Sequence, residues 1–127
     1  MASWHLAQER GQLTGDGAVT LLRERVAAGE LEAWLRHHDG RVLGVVTNGN
    51  RAMVMAMEEP GDPGQHAVDP DAEGEEGGYR LSNGQVDRYD NRETVPFGVA
   101  LEVVRKLVDH DRWPTTVVWH DDRELPP

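Results

Sequence analysis

The chain has 127 residues, no cysteine, only 6% aromatic residues and a formal net charge of -10 at neutral pH. That length fits a single domain over residues 1–127 with a core of Val, Leu, Ala and Met, and the lack of cysteine excludes disulfides, thiolate metal sites and cysteine nucleophiles. So acidic a chain is repelled by nucleic acid and anionic membrane surfaces and drawn to basic partners.

The opening, MASWHLAQERGQ, shows no basic n-region and no apolar h-region, and no apolar run approaches the roughly 18 residues of a membrane span. A soluble cytoplasmic protein is therefore expected. GDGAVTLLRERVAAGE reads as a helix: Asp16 can cap it, Ala18, Leu21, Leu22 and Val26 fall near one face, and Gly29 can stop it. ELEAWLRHHDGRVLGVVTNGNRAMVMAME then reads as three strands, because Asp39-Gly40 and Asn48-Gly49 suit two-residue hairpins. Helix competes over Leu31 to Arg36, where Leu31, Trp34 and Leu35 also fit its spacing. The Asp-Gly that follows favours strand.

Val42 to Thr47 is apolar almost throughout, as in a central strand covered on both faces. In the next strand Ala52, Val54 and Ala56 alternate with Met53, Met55 and Met57, and the methionines are expected to fill the core. Residues 58–78 then shift to Gly, Pro, Asp and Glu. This segment predicts a long acidic loop that cannot bury enough apolar surface to order itself. Tyr79–Leu81 and Gln85–Tyr89 pair around Asn83-Gly84. Thr94 or a neighbour caps a helix whose first turn holds Pro96, with Phe97, Leu101, Val104 and Val108 in one stripe. Thr115 to His120 makes a last β-branched strand, with Trp113 and Trp119 as core anchors. The expected fold is α+β: a mainly antiparallel sheet of about five to six strands with two helices packed on it.

Signatures of catalysis are sparse. The sequence holds no G-x-S-x-G, P-loop, G-x-G-x-x-G or H-E-x-x-H. Of the six histidines, none pairs at the helical spacing that aims two ligands at one metal, and adjacent His37 and His38 read as solvated hairpin residues. DPDAEG, Asp69 to Gly74, mimics the start of a calcium loop, but the bidentate Glu that loop needs falls on Arg80. Asp87, Asp90, Asp121 and Asp122 are available for acid–base chemistry without any spacing that makes them converge. No enzyme activity, cofactor or metal is expected.

Eight of the 23 acids fall between Glu58 and Glu76, where there is no Lys or Arg, and the remaining acids nearly balance the 13 bases. That concentration singles out Glu58, Glu59, Asp69, Asp71, Glu73, Glu75 and Glu76 as candidate partner-binding residues. Tyr79, Asp87 and Tyr89 would be the rigid hairpin side of the same contact, Asp87 and Tyr89 on one face and Arg88 on the other.

GRVLGVVTNGNRAMVMAMEEPGDPG, followed by LSNGQVDRY, TVPFGVALEVV and WPTTVVW, resembles the Imm1 family of bacterial immunity proteins over about Gly40 to Asp122. The resemblance implies an α+β protein that neutralises a polymorphic toxin, often one that attacks nucleic acid, such as a nuclease or deaminase. Such a toxin grips phosphates with Lys and Arg, so an acidic inhibitor can occupy its cleft. The partner expected is thus a basic toxin domain, with no nucleic acid or membrane bound and the chain a monomer or weak homodimer. An adaptor or regulatory module outside toxin systems is the alternative, and a small-ligand-binding domain a third.

Overall fold

The computed structural model describes residues 4–7 and 13–123. Its main sheet runs β1 (Trp4–Leu6), β2 (Glu32–His37), β3 (Val42–Thr47), β4 (Arg51–Met57), β5 (Gln65–Val68) and β9 (Val118–Asp121) in that spatial order, while β8 (Val95–Pro96) pairs the start of β4. Every pairing is antiparallel. Strands β6 (Glu75–Arg80) and β7 (Val86–Asp90) form a separate two-stranded sheet. Helices α1 (Gly15–Ala27) and α2 (Phe97–His110) pack on each other, and α2 also lies on β4, so the fold is α+β.

Alternation divides the sheet into two faces. Leu35, Leu43, Val45, Ala52, Val54, Ala56 and Ala67 turn inward and form one cluster with Ala18 and Leu22 of α1 and the Ala100–Val108 stripe of α2. Small residues on β4 let α2 approach closely. Gly15 serves the same end between the helices: its N–H donates to Asp109 at 2.8 Å, and an added Cβ would sit 2.5 Å from that carboxylate. The opposite face carries the cross-strand row Trp34, Gly44, Met55, His66 and His120. There the Trp34 indole covers Gly44 so tightly that a Cβ would meet it at 2.5 Å.

Several elements differ from expectation, each for a local reason. The α1 cap is Thr14, whose hydroxyl accepts from Gly17 N–H, and Asp16 sits in the first turn instead, where its charge suits the helix dipole. The stretch from Leu31 is strand rather than helix, as the following Asp-Gly favoured, with β2 running from Glu32 to His37. Met53, Met55 and Met57 are not core: they lie half-buried on the face away from the helices. Residues 58–78 are not one loop, since β5 lies within them, between β4 and β9, and contributes fully buried Ala67. Pro96 is the α2 N-cap rather than a first-turn residue, and Thr94 is buried as an internal hydrogen-bond hub. His37 is buried rather than solvated; its ring meets Trp4 edge-on and stacks on His38. Trp113 and Trp119 do pack against the core.

The chain crosses from β5 through Asp69–Gly74 into β6, which packs against β3. Three ties hold the hairpin down. Asn48 donates to Glu76 and to the Gly77 carbonyl, both at 3.0 Å, Glu32 on β2 accepts from Ser82 N–H at 2.9 Å, and Tyr79 is wholly buried.

Candidate protein-binding surface

Because β5 interrupts the acidic segment, its carboxylates fall into two groups. The first occupies the β4–β5 turn. There Glu58 accepts from the Trp113 indole at 2.7 Å, and Asp62 accepts from Glu58 N–H and Gly64 N–H and faces Arg123 at 3.5 Å. Glu59 is exposed beside them. The second group lies around the root of the β6–β7 hairpin.

In that second group some acids are structural and some are free. Arg51 is largely buried and bonds Asp69 at 2.7 Å, the Thr94 hydroxyl at 2.9 Å, and the Asn91 and Thr94 carbonyls at 3.1 Å. Asp69 therefore spends its charge inside the fold. Glu76 is likewise bound by Asn50 and Asn48, whose hydrogen bonds hold its carboxyl below the usual range. Asp71 and Glu73 are exposed in the turn and have no side-chain partner among the described residues. Glu75, opposite Asp90 on β7, makes only an exposed pair with Arg88 at 3.2 Å. Glu73, Glu75, Asp90 and Arg92 line a shallow hollow of about 400 Å³.

The aromatic side of the predicted contact separates in the same way. Tyr79 is 0% exposed, ring to edge with Tyr89 at 4.8 Å, so it braces the hairpin and cannot touch a partner. Burial holds its phenol above the ordinary range. Tyr89 is half-buried and donates to Asp87 at 3.0 Å; burial, then the carboxylate, push its hydroxyl up to about 12. Asp87 and Tyr89 do share a face, as alternation requires, while Arg88 projects from the other.

His66 forms a constellation that the spacing gave no hint of. Its Nδ1 lies 2.6 Å from Asp122 and its Nε2 2.7 Å from Glu93. Both contacts need an N–H donor, so the ring acts as an imidazolium. Burial alone would lower its pKa, but the hydrogen bonds and charges of Asp122 and Glu93 outweigh it and raise the value. The three residues come from β5, the turn after β7 and the turn after β9, so only the tertiary fold unites them. The His66 contacts are structural in geometry: they tie the hairpin root to the edge strand.

Other chemistry finds less support in the geometry. Among the described residues no group of three His, Asp or Glu side chains is arranged to hold a metal ion, and Asp69 of the calcium-like stretch faces Arg51. A cleft of about 380 Å³ opens between the end of α1, β2 and the hairpin tip, lined by Leu31, Glu32, Trp34, Arg80, Leu81 and Ser82 among others. Neither Asp87 nor Asp122 reaches it. Glu32 there is tied down, its carboxyl held low by Ser82 N–H, even though partial burial pushes the other way, with help from Trp34. No helix among the described residues is long and apolar enough to cross a membrane. The fold and surface thus define a small α+β domain with an acidic, ordered hairpin root. No protein-family model matches the chain, and no curated protein matches it either.

Proposed function

We propose that this protein is an immunity-type inhibitor that binds and neutralises a basic bacterial toxin domain in the cytoplasm. The observation that carries the reading is the sorting of charge at the hairpin root. Asp69 and Glu76 are consumed by the scaffold, whereas Asp71, Glu73, Glu75 and Asp90 stand exposed on ordered backbone. Carboxylates held on a braced turn bind a cationic cleft with less ordering cost than carboxylates on a mobile loop. They also steer a basic partner, raising its association rate by about 10- to 1000-fold at low salt. The resemblance to Imm1 proteins supports a toxin as that partner, one whose own cleft must neutralise phosphate.

The test neutralises only the exposed carboxylates, by Asp71→Asn, Glu73→Gln, Glu75→Gln and Asp90→Asn together. Asp69 and Glu76 stay, because replacing them would loosen the fold. The combined variant should keep the parent's thermal unfolding. It should lose protection when co-expressed with a basic toxin domain encoded beside its gene, and bind it about tenfold or more weakly at low salt. Undiminished protection by a folded variant would remove the hairpin root from the interface. A parent chain that binds a non-toxin protein and confers no protection would favour an adaptor role.

A further inference from the structure

We propose that the outer edge of β7 takes up an extended segment of the basic partner as a third strand of the β6–β7 sheet. The proposal rests on the inhibitor reading for the partner's charge and on the hairpin for its geometry. Leu81 N–H bonds the Gln85 carbonyl at 2.8 Å, and Asn91 N–H bonds the Gly74 carbonyl at 2.9 Å. With a period of two, residues 85, 87, 89 and 91 turn their backbone groups towards β6. Val86, Arg88 and Asp90 then turn theirs outward.

Among the described residues β7 pairs with no strand except β6. The hairpin's irregularity falls on β6, between Glu76 and Tyr79, so β7 itself stays regular. Proteins usually blunt an open edge with proline, a bulge or charge. VDRYD has no proline and no bulge, and its charges are two acids, Asp87 and Asp90, against one base, so they repel an acidic strand and admit a basic one. Its only cation, Arg88, is engaged by Glu75. Val86 is 60% exposed at one end of the strand, an apolar contact in open view, and Asp90 lies at the other beside the hollow lined by Glu73 and Glu75. An incoming strand with an apolar residue over Val86 and Lys or Arg over Asp90 would satisfy all of these groups. Main-chain bonds supply affinity in this mode and alternate side chains supply selection.

The probe is a capped threonine-rich heptapeptide carrying one valine and one lysine four residues apart, the spacing of Val86 and Asp90, against one with glutamate in place of the lysine. Amide hydrogen exchange on the intact chain should show new protection at Val86, Arg88 and Asp90 with the basic peptide only. Arg88→Pro removes an outward N–H without touching a β6–β7 main-chain bond, and should weaken that binding by about tenfold or more, whereas Arg88→Ala, which loses the same side-chain pair with Glu75, should stay within about threefold. Protection appearing on the main sheet instead, equal binding of the acidic peptide, or Arg88→Pro binding like the parent each overturns the proposal. If Arg88→Pro disturbs the hairpin, Val86→Pro makes the same test, and the protection map decides without either variant. A toxin held equally by parent and Arg88→Pro sinks the edge and leaves the inhibitor reading standing. A peptide captured at β7 by a chain that protects against no toxin does the reverse.

Discussion

Arg51 and His66 show how single residues fix which charges remain available. Arg51 serves Asp69, Thr94 and Asn91 at once, so removing its guanidinium strands a half-buried carboxylate and two carbonyls. Arg51→Met should cost about 2–3 kcal/mol of stability by denaturant unfolding, and Asp69→Asn less, because Asp69 is partly solvated. Equal, negligible costs would show that the pair is ornamental. His66 makes a pH prediction whose sign follows from its raised pKa. The stabilisation is complete below the ordinary value of 6.5 and is lost as pH rises through the higher folded value. The groups facing the ring are Asp122, Glu93 and the His120 ring at 5.4 Å. The melting temperature of the parent should therefore fall across that window, and that of His66→Gln should fall less. Direct NMR titration of the imidazole should return a pKa above 6.5; a value below it would mean the two carboxylates do not hold the ring as described.

At the scale of elements, legibility in the sequence depended on whether the deciding interaction was local. The hairpins at Asp39-Gly40 and Asn48-Gly49 could be read because tight turns demand positive φ, and Gly40 and Gly49 sit at 107° and 91°, although the first turn holds three residues, 38–40, and the second is centred on Gly49-Asn50. The α2 stripe could be read because helical periodicity is written in neighbours. Strand β5 could not: QHAV is short, lies between Pro63-Gly64 and Pro70, and gives the core only Ala67, so its place comes from β4 and β9 on either side. The methionines misled for a related reason, since alternation shows two faces but not which one the helices cover. That second face has its own tight contact in Trp34 over Gly44. Gly44→Ala should cost about 1–3 kcal/mol through displacement of the indole, which also holds Glu32 at 2.6 Å. Tryptophan fluorescence should shift along with the unfolding midpoint; an unchanged midpoint would show that the face repacks freely.

For the molecule as a whole, the sequence disclosed the quantity of charge but not its disposition. Eight acids in a row without a base could be counted, yet only the fold shows that β5 divides them and that Arg51, Asn48 and Asn50 claim two. The same disposition sets how stability is distributed. Strand β3 is buried along its whole length between β2 and β4, whereas β7 alternates exposed and half-buried residues and leans on one partner strand. The hairpin is held by Tyr79 and a few side-chain bonds at its ends, so its opening exposes far less apolar surface than unfolding the sheet. Amide exchange should therefore rank β3 and β4 as most protected and β7 as the first strand to exchange, by about 10-fold or more. A braced but separable hairpin is what an electrostatic inhibitor can use: ordered enough to present its carboxylates, yet able to adjust its edge to an incoming strand. If β7 amides exchanged only with global unfolding, the hairpin would be one rigid body with the core, and a partner would have to fit it without that adjustment.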